Sequence, residues 1–283
     1  MRTICRWCAA AFAIAVPFAV HGATVINFSN FANCSTLQIN GNAACVSNVL
    51  RVTPATFGQS GSAFSNTLIP LGGGNTFSTV FSFQITGSGG SSDGDGLGAD
   101  GLTFTVQPNA STAGGGGGGI GYAGISNSVA AEFDTWNNGA GAGDPDGNHV
   151  GIDLNGSVFS VVTAPVATRM NNGAVWWAWI DYNGSVLELR LSSTSTRPAS
   201  PTLSYTVNLV SVLGGTQAYV GFTSGTGAAF GNHDILTWQF DNSFAPFGAA
   251  ATNVPVLSEG SLAAMALVLG LIGALALRWR RGG

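Results

Sequence analysis

The sequence predicts an all-β protein built as an antiparallel sandwich, and three observations carry that expectation. Apolar and polar residues alternate with period two in one segment after another, as half-buried strands require. Gly and Asn interrupt those segments at short intervals, and no stretch within residues 24–247 keeps helical periodicity beyond a turn or so. Many short strands with turn signals between them argue for a sandwich or barrel, and such folds fill a span of this size as one domain. No internal repeat is visible.

At the start of the chain, Arg2 and Arg6 precede an apolar run over 9–20, with small residues at Gly22 and Ala23. This is the layout of a secretory signal peptide, expected over 1–23, and the run is shorter than the ~20 residues of a membrane span. Its removal would discard Cys5 and Cys8 and leave Cys34 and Cys45. In an exported chain these two meet an oxidising environment, so a disulfide closing that short loop is expected.

The strand signals follow in order. Residues 77–85 (FSTVFSFQI) and 102–106 (LTFTV) alternate cleanly. Residues 175–181 are rich in Trp and Ile, and Tyr182-Asn183-Gly184-Ser185 then supplies an Asn-Gly turn into 186–191. That is a strong hairpin signal. Residues 219–222 and 235–240 complete the set. The glycine run 114–119 sits between strands and is expected to be a loop.

Charge excludes several functions. The chain has no Lys, and its middle carries four Arg (Arg51, Arg169, Arg190, Arg197) against twelve Asp and Glu. A nucleic-acid partner needs a basic footprint, which is missing. Phosphate binding of the Walker type needs Lys. Gly119, Gly121 and Gly124 satisfy G-x-G-x-x-G, but no helix begins there and no βαβ unit surrounds them, so a dinucleotide site is rejected.

The densest chemistry lies at Glu132-Phe133-Asp134-Thr135-Trp136-Asn137-Asn138, followed by Asp144-Pro145-Asp146-Gly147-Asn148-His149. Period two places Glu132, Asp134 and Trp136 on one side of a strand end. Two carboxylates on one side with no basic neighbour repel, and a divalent cation would resolve that. A loop folding back would deliver Asp144 and His149. Hard oxygen donors suit calcium, and a site adding imidazole suits manganese or another transition ion. An acidic surface turn explains the same residues without a metal.

These residues, with His149-Val150-Gly151-Ile152-Asp153, resemble the metal loop of legume (L-type) lectins. The resemblance extends, in family order, over Asn27-Phe28, residues 77–85, Gly98-Ala99-Asp100-Gly101-Leu102-Thr103-Phe104, residues 219–227 and 235–240. It implies a concanavalin-like jelly roll over 24–247 that binds glycans. It implies Glu132, Asp134, Asp144 and His149 as transition-metal ligands. Asp134, the Trp136 carbonyl, Asn138 and Asp144 would hold calcium. It also implies a cis peptide before Asp100, with Asp100 and Asn138 bonding sugar hydroxyls. Backbone amides near Gly119 or Gly121 and those of Ala228 and Ala229 would complete the pocket. The interval from Asn138 to Asp144 is one residue longer than usual in the plant proteins, so this loop must bulge.

Beyond a linker over 248–253, Val254-Pro255-Val256-Leu257-Ser258-Glu259, an apolar helix-forming stretch over 262–277 and Arg278-Trp279-Arg280-Arg281 close the chain. Residues 254–283 resemble the PEP-CTERM class of sorting tails of Gram-negative bacteria, in the variant beginning Ile-Pro-Thr-Leu-Ser-Glu. The resemblance implies an exosortase-like membrane protease as partner and delivery to the cell surface or matrix after transient anchoring. A permanent membrane anchor is the alternative, and homo-oligomerisation is compatible with either.

Two rival functions are carried forward. A glycoside hydrolase of related fold shows Glu-x-Asp-x-x-Glu along one strand and needs a pair of carboxylates. Here Asn137 stands where the second Glu must be. Gly124-Ile125-Ser126-Asn127-Ser128 does not fit a nucleophile elbow, and His233 is expected to be a structural residue in a loop. A structural matrix protein would need no pocket or metal set. Trp176, Trp177 and Trp179 would make a sugar platform or a packed face, with Trp177 facing away from the other two. Asp93-Gly94-Asp95-Gly96 is either a short acidic turn or an extra cation site.

Overall fold

The computed structural model describes residues 24–112, 114 and 117–249. The expected signal peptide (1–23), the sorting segment (254–283) and most of the linker lie outside the described residues. The fold below is that of the unit ending at Gly248.

Strands dominate. They run β1 (Thr24–Phe28), β2 (Leu37–Gly41), β3 (Ala44–Val46), β4 (Val49–Thr53), β5 (Ser60–Ser65) and β6 (Ile69–Pro70). Next come β7 (Phe77–Gly90), β8 (Ser92–Asp93), β9 (Gly96–Leu97), β10 (Gly101–Gln107), β11 (Val129–Asp134) and β12 (His149–Leu154). The last are β13 (Val162–Pro165), β14 (Val175–Tyr182), β15 (Val186–Ser192), β16 (Leu203–Thr206), β17 (Gln217–Gly225) and β18 (Ala229–Asp241). Among the described residues, besides a 3-10 turn at Gly117–Gly119, one short helix occurs, α1 (Leu209–Leu213). The Asn208 side chain caps it by accepting from the Ser211 N–H, and Gly214 ends it in the left-handed conformation.

Two large antiparallel sheets face each other. The first has the order β16-β15-β14-β7-β18-β4-β3, with β1 also on β18. The second has the order β13-β12-β11-β10-β17-β5-β2, with β6 on β17. Neighbours in space are mostly distant in sequence, so hairpins alone cannot build it. The predicted sandwich class is therefore the observed one. The Asn183-Gly184 hairpin forms as expected, the Asn183 Oδ1 accepting the N–H of Ser185 and of Val186.

Aromatic side chains fill the space between the sheets. Phe222 meets Phe81 edge-on with ring centroids 4.9 Å apart and Trp238 at 4.9 Å, while Phe81 meets Phe133 at 5.7 Å. All four are fully buried. The indole N–H of Trp238 donates to Thr79 Oγ1 at 3.0 Å, so its polar handle is satisfied inside the core. Trp176 packs into this core, whereas Trp177 and Trp179 stack together at 6.5 Å on the opposite face of β14. That corrects the expectation that Trp177 faces away from both others. Strict alternation pairs 177 with 179 and sets 176 apart. His233 is corrected too. It lies within β18, not in a loop, fully buried, with Nδ1 2.8 Å from Thr53 Oγ1.

The register of the second sheet positions the candidate site. Gly101, at the start of β10, sits opposite both Asp134, the last residue of β11, and Gly225, the last of β17. Asp134 in turn sits opposite His149, the first residue of β12. Four adjacent strands thus end at one level, and the loops leaving them converge there. Gly101 is required at that crossing, for a Cβ would run into the Phe133 carbonyl and its φ is +140°.

Candidate metal centre and adjoining pocket

Strand alternation sorts the 129–134 segment as expected. Val129, Ala131 and Phe133 join the core, while Glu132 and Asp134 point to the other face. Both are almost completely buried. The following loop folds back so that one ligand atom from each of Asp134, Asp144 and His149 lies within 4.8 Å of the others.

Local hydrogen bonds hold that convergence. Asp134 Oδ1 accepts the Trp136 N–H at 2.6 Å, which turns the chain sharply after the strand. Asp144 Oδ2 accepts the Asn138 N–H at 2.6 Å and ties the bulged loop back on itself. The Nδ1 of His149 stands 3.2 Å from the Asp146 carbonyl. A proton on Nδ1 donated there leaves Nε2 with its lone pair free, the tautomer a metal ligand needs.

Glu132 sits two register positions back along β11, opposite Gly151. Its carboxylate accepts from Ser160 Oγ at 3.0 Å, and the same hydroxyl is 2.6 Å from Asp153 Oδ1. In the sequence Asp153 stands within the lectin-like motif with no role of its own, and no motif points to Ser160. Asp153 had a readable signal, since it stands four residues after His149 and shares its face by alternation. Ser160 had none, because it enters from an irregular segment.

The pocket residues gather beside this cluster. The Ala99–Asp100 peptide is cis, as the resemblance implied. The Asp100 N–H donates to the Gly225 carbonyl at 3.1 Å, and its carbonyl accepts the Thr135 N–H at 2.9 Å. Its carboxylate is buried, and Oδ2 has no hydrogen-bond partner among the described residues. A Cβ on Gly227 would stand 3.7 Å from that oxygen, so the 227–229 loop passes alongside. Ala228 is exposed and Ala229 buried, and Gly227 N–H closes the turn on the Ala229 carbonyl at 3.1 Å. Asn138, exposed, lies near the 3-10 turn that contains Gly119, since a Cβ on Gly118 would stand 3.3 Å from Asn138 Oδ1. Gly121 follows that turn and is buried, while Trp136 is half-buried. The pair Cys34 and Cys45 forms the expected disulfide, far from these residues in sequence.

The electrostatics of the cluster are one-sided. Burial raises the Asp134 carboxyl well above its usual value, and Glu132 adds to the effect. Burial does the same for Glu132, with Asp153 reinforcing it. Asp144 is raised by burial, and Asp153 and Asp100 are each pushed up to about 7 by burial and by the Asp144 charge. Five carboxyls with upward shifts in one place form a site short of positive charge. A partnerless buried carboxylate oxygen, several acids and one imidazole together fit divalent cations, with oxygen donors for calcium and the imidazole for a transition ion.

Comparison with known proteins agrees with this geometry. Residues 23–254 match the family model described as the legume lectin domain. A probable inactive L-type lectin-domain containing receptor kinase III.1 from Arabidopsis thaliana is 31% identical over 256 residues, 81% of this chain and 39% of its own length. Receptor kinase VIII.1 of the same type and organism is 33% identical over 204 residues, 69% of this chain and 26% of its own length. The chain therefore spans less than half the length of these relatives. Among solved structures, the basic winged bean lectin with Tn-antigen is 31% identical with TM-score 0.64, covering 76% of this chain and 96% of that one. Lectin II from Ulex europaeus is 29% identical with TM-score 0.63, covering 77% and 99%.

Proposed function

This chain belongs to the legume lectin domain family, and we propose from that premise that it is a carbohydrate-binding protein whose grip on glycans depends on calcium and a transition metal. The observation that carries the reading is the convergence of Asp134, Asp144 and His149 beside the buried Asp100 carboxylate, whose Oδ2 has no hydrogen-bond partner among the described residues. The basic winged bean lectin was solved with Tn-antigen and lectin UEA-II with galactose, and both support the same ligand class.

Calcium would be held by Asp134, the Trp136 carbonyl, Asn138 and Asp144. The transition ion, manganese being one, would be held by Glu132, Asp134, Asp144 and His149. When bound, the ions supply the positive charge that keeps these buried carboxyls ionised. Asp100 then accepts hydrogen bonds from two sugar hydroxyls, as a buried carboxylate with a free oxygen is suited to do. Asn138 donates from its amide nitrogen, and the backbone N–H groups around Gly119, Gly121, Ala228 and Ala229 supply further donors. Charge-assisted hydrogen bonds to Asp100 give direction, and a hydroxyl missing from the ligand leaves that buried group unpaired.

The domain layout is part of the proposal: a signal peptide over 1–23, the lectin domain over 24–247, a linker over 248–253 and a sorting segment over 254–283. The chain would be exported by a Gram-negative bacterium, processed by an exosortase-like membrane protease and displayed at the cell surface or in the matrix. Its role there is binding rather than catalysis. A retaining glycosidase needs two carboxyl groups ~5–5.5 Å apart with the substrate between them. The carboxylate nearest Glu132 through Ser160 is Asp153, and both are sealed from solvent.

The test is glycan-array binding of residues 24–247, repeated after chelation and after return of calcium and manganese. Binding is expected to vanish on chelation and to return with the ions. Glycan binding that persists in exhaustively chelated protein would sink the metal dependence. Release of reducing sugar, lost in Glu132→Gln, would move the chain into the enzyme class.

A further inference from the structure

The hairpin formed by β8 and β9 is tied to the metal loop by side chains that the sugar site itself does not use. Asp93 Oδ1 accepts the N–H groups of Asp95 and Gly96 at 2.8 and 2.9 Å, which shapes the turn. Its other oxygen accepts the Asn137 N–H at 2.9 Å. Asp95 Oδ2 accepts the Gly147 N–H at 2.8 Å. Asn137 and Gly147 bracket the loop that carries Asn138 and Asp144. Gly147 lets the two segments close, because a Cβ there would collide with both carboxylates. From the other side, Asn171 Nδ2 donates to the Leu97 carbonyl at 3.0 Å, and Arg169 Nη2 reaches the Thr135 carbonyl at 3.4 Å. Three residues after Leu97 the chain delivers Asp100.

We infer that Asp93 and Asp95 are positioning residues that clasp the Asp100 loop to both ends of the 137–147 segment, so that the ion and sugar sites are held in register before any ion binds. The alternative use of these acids as an extra cation site fits the surroundings less well, since the Arg169 guanidinium already stands 3.8 Å from Asp93 Oδ1 and supplies positive charge there. The inference rests on the reading of 134–149 as the ion-holding segment. It adds that this chain shares the work of ordering that segment between ions and a protein clasp. A hydrogen bond at a partly exposed site contributes ~0.5–1.5 kcal/mol, so losing one should cost about three- to tenfold in an equilibrium that requires the loop to be ordered.

Two measurements decide it, both on residues 24–247. Calorimetric titration with calcium chloride, after removal of metals, should show Asp95→Ala binding the ion about three- to tenfold more weakly than wild type. Asp95→Asn should restore most of that affinity, because its amide oxygen accepts the same N–H. Gly147→Ala should behave as Asp95→Ala does, since it forces the hairpin away. In chelator, amide hydrogen exchange at Asn137 and Gly147 should be slow in wild type and faster in Asp95→Ala. Equal calcium affinity in wild type and Asp95→Ala, or equal exchange in chelator, would overturn the clasp. A calcium stoichiometry that drops by one in Asp95→Asn would replace it with a cation site. If wild type takes up no calcium at all, the metal reading fails while the exchange experiment still decides the clasp.

Discussion

Asp100 and Asp134 are both buried carboxylates a few residues apart in space, yet their surroundings give them separable roles. Asp100 has an oxygen with no partner, and its backbone, not its side chain, makes the bonds to Gly225 and Thr135. Asp100→Ala should therefore abolish glycan binding and leave melting in calcium at or slightly above wild type, for burying an unpaired carboxylate costs the fold stability instead of adding to it. Asp134 sits among the atoms that would hold ions, so Asp134→Ala should lose both glycan binding and stabilisation by calcium. That stabilisation is about 2.7 kcal/mol when the ion is at a hundred times its dissociation constant. Melting curves of both variants with and without calcium check this, and identical calcium shifts would refute the division of roles. Both residues were legible in the sequence, through a motif for Asp100 and through period two for Asp134. The partnership of Glu132 with Ser160 and Asp153 was not. It joins β11 to a segment 28 positions away through one hydroxyl, and no local periodicity records such a contact.

At the scale of elements, the strands proved longer than alternation alone suggested. β7 continues beyond Ile85 to Gly90, β17 extends to Gly225, and β18 starts at Ala229. The added residues are Gly, Ser, Thr and Ala in large part, whose side chains carry little hydrophobic pattern although their backbones pair as well as any. β2 to β4 do not stand out from the strand signals spread over this region, being only three to five residues long, and the Cys34–Cys45 disulfide fastens that corner. The bridge spans a sequence separation of 11, and both sulfur-bearing side chains pack against the core. Chain-entropy arguments assign about 3 kcal/mol to a loop of roughly 15 residues, so a slightly shorter one should contribute about 2.8 kcal/mol. The Cys34→Ser/Cys45→Ser variant should melt ~5–10 °C below the oxidised parent, given ~2–4 °C per kcal/mol for a domain of this size. Equal melting temperatures for the two would show that the corner stands without its bridge.

For the whole molecule, the sum of the buried carboxyls sets how stability follows pH when no ions are bound. Burial raises Glu132, Asp134, Asp144, Asp153 and Asp100, the last two to about 7, whereas the unfolded chain titrates its acids near 4. Between those values the folded chain binds more protons than the unfolded one, so stability falls as pH rises. His233 acts in the opposite sense. Burial lowers it to about 3, so the stability it contributes is complete above ~6.5 and is lost as pH falls towards 3. One imidazole stands against six carboxyls, since burial raises Asp181 outside the site as well, so the acids decide the direction. The chelated protein should melt higher at pH 5.5 than at pH 8. Saturating calcium and manganese should reverse the order, since ions bind the ionised carboxyls and acid displaces them. A chelated protein that melts higher at pH 8 would mean that these acids are not jointly buried without metal. A fold that gathers five carboxyls with upward shifts in and beside β10, β11 and β12 is then destabilised near neutral pH when no ion is bound, and divalent ions bound there would remove that cost.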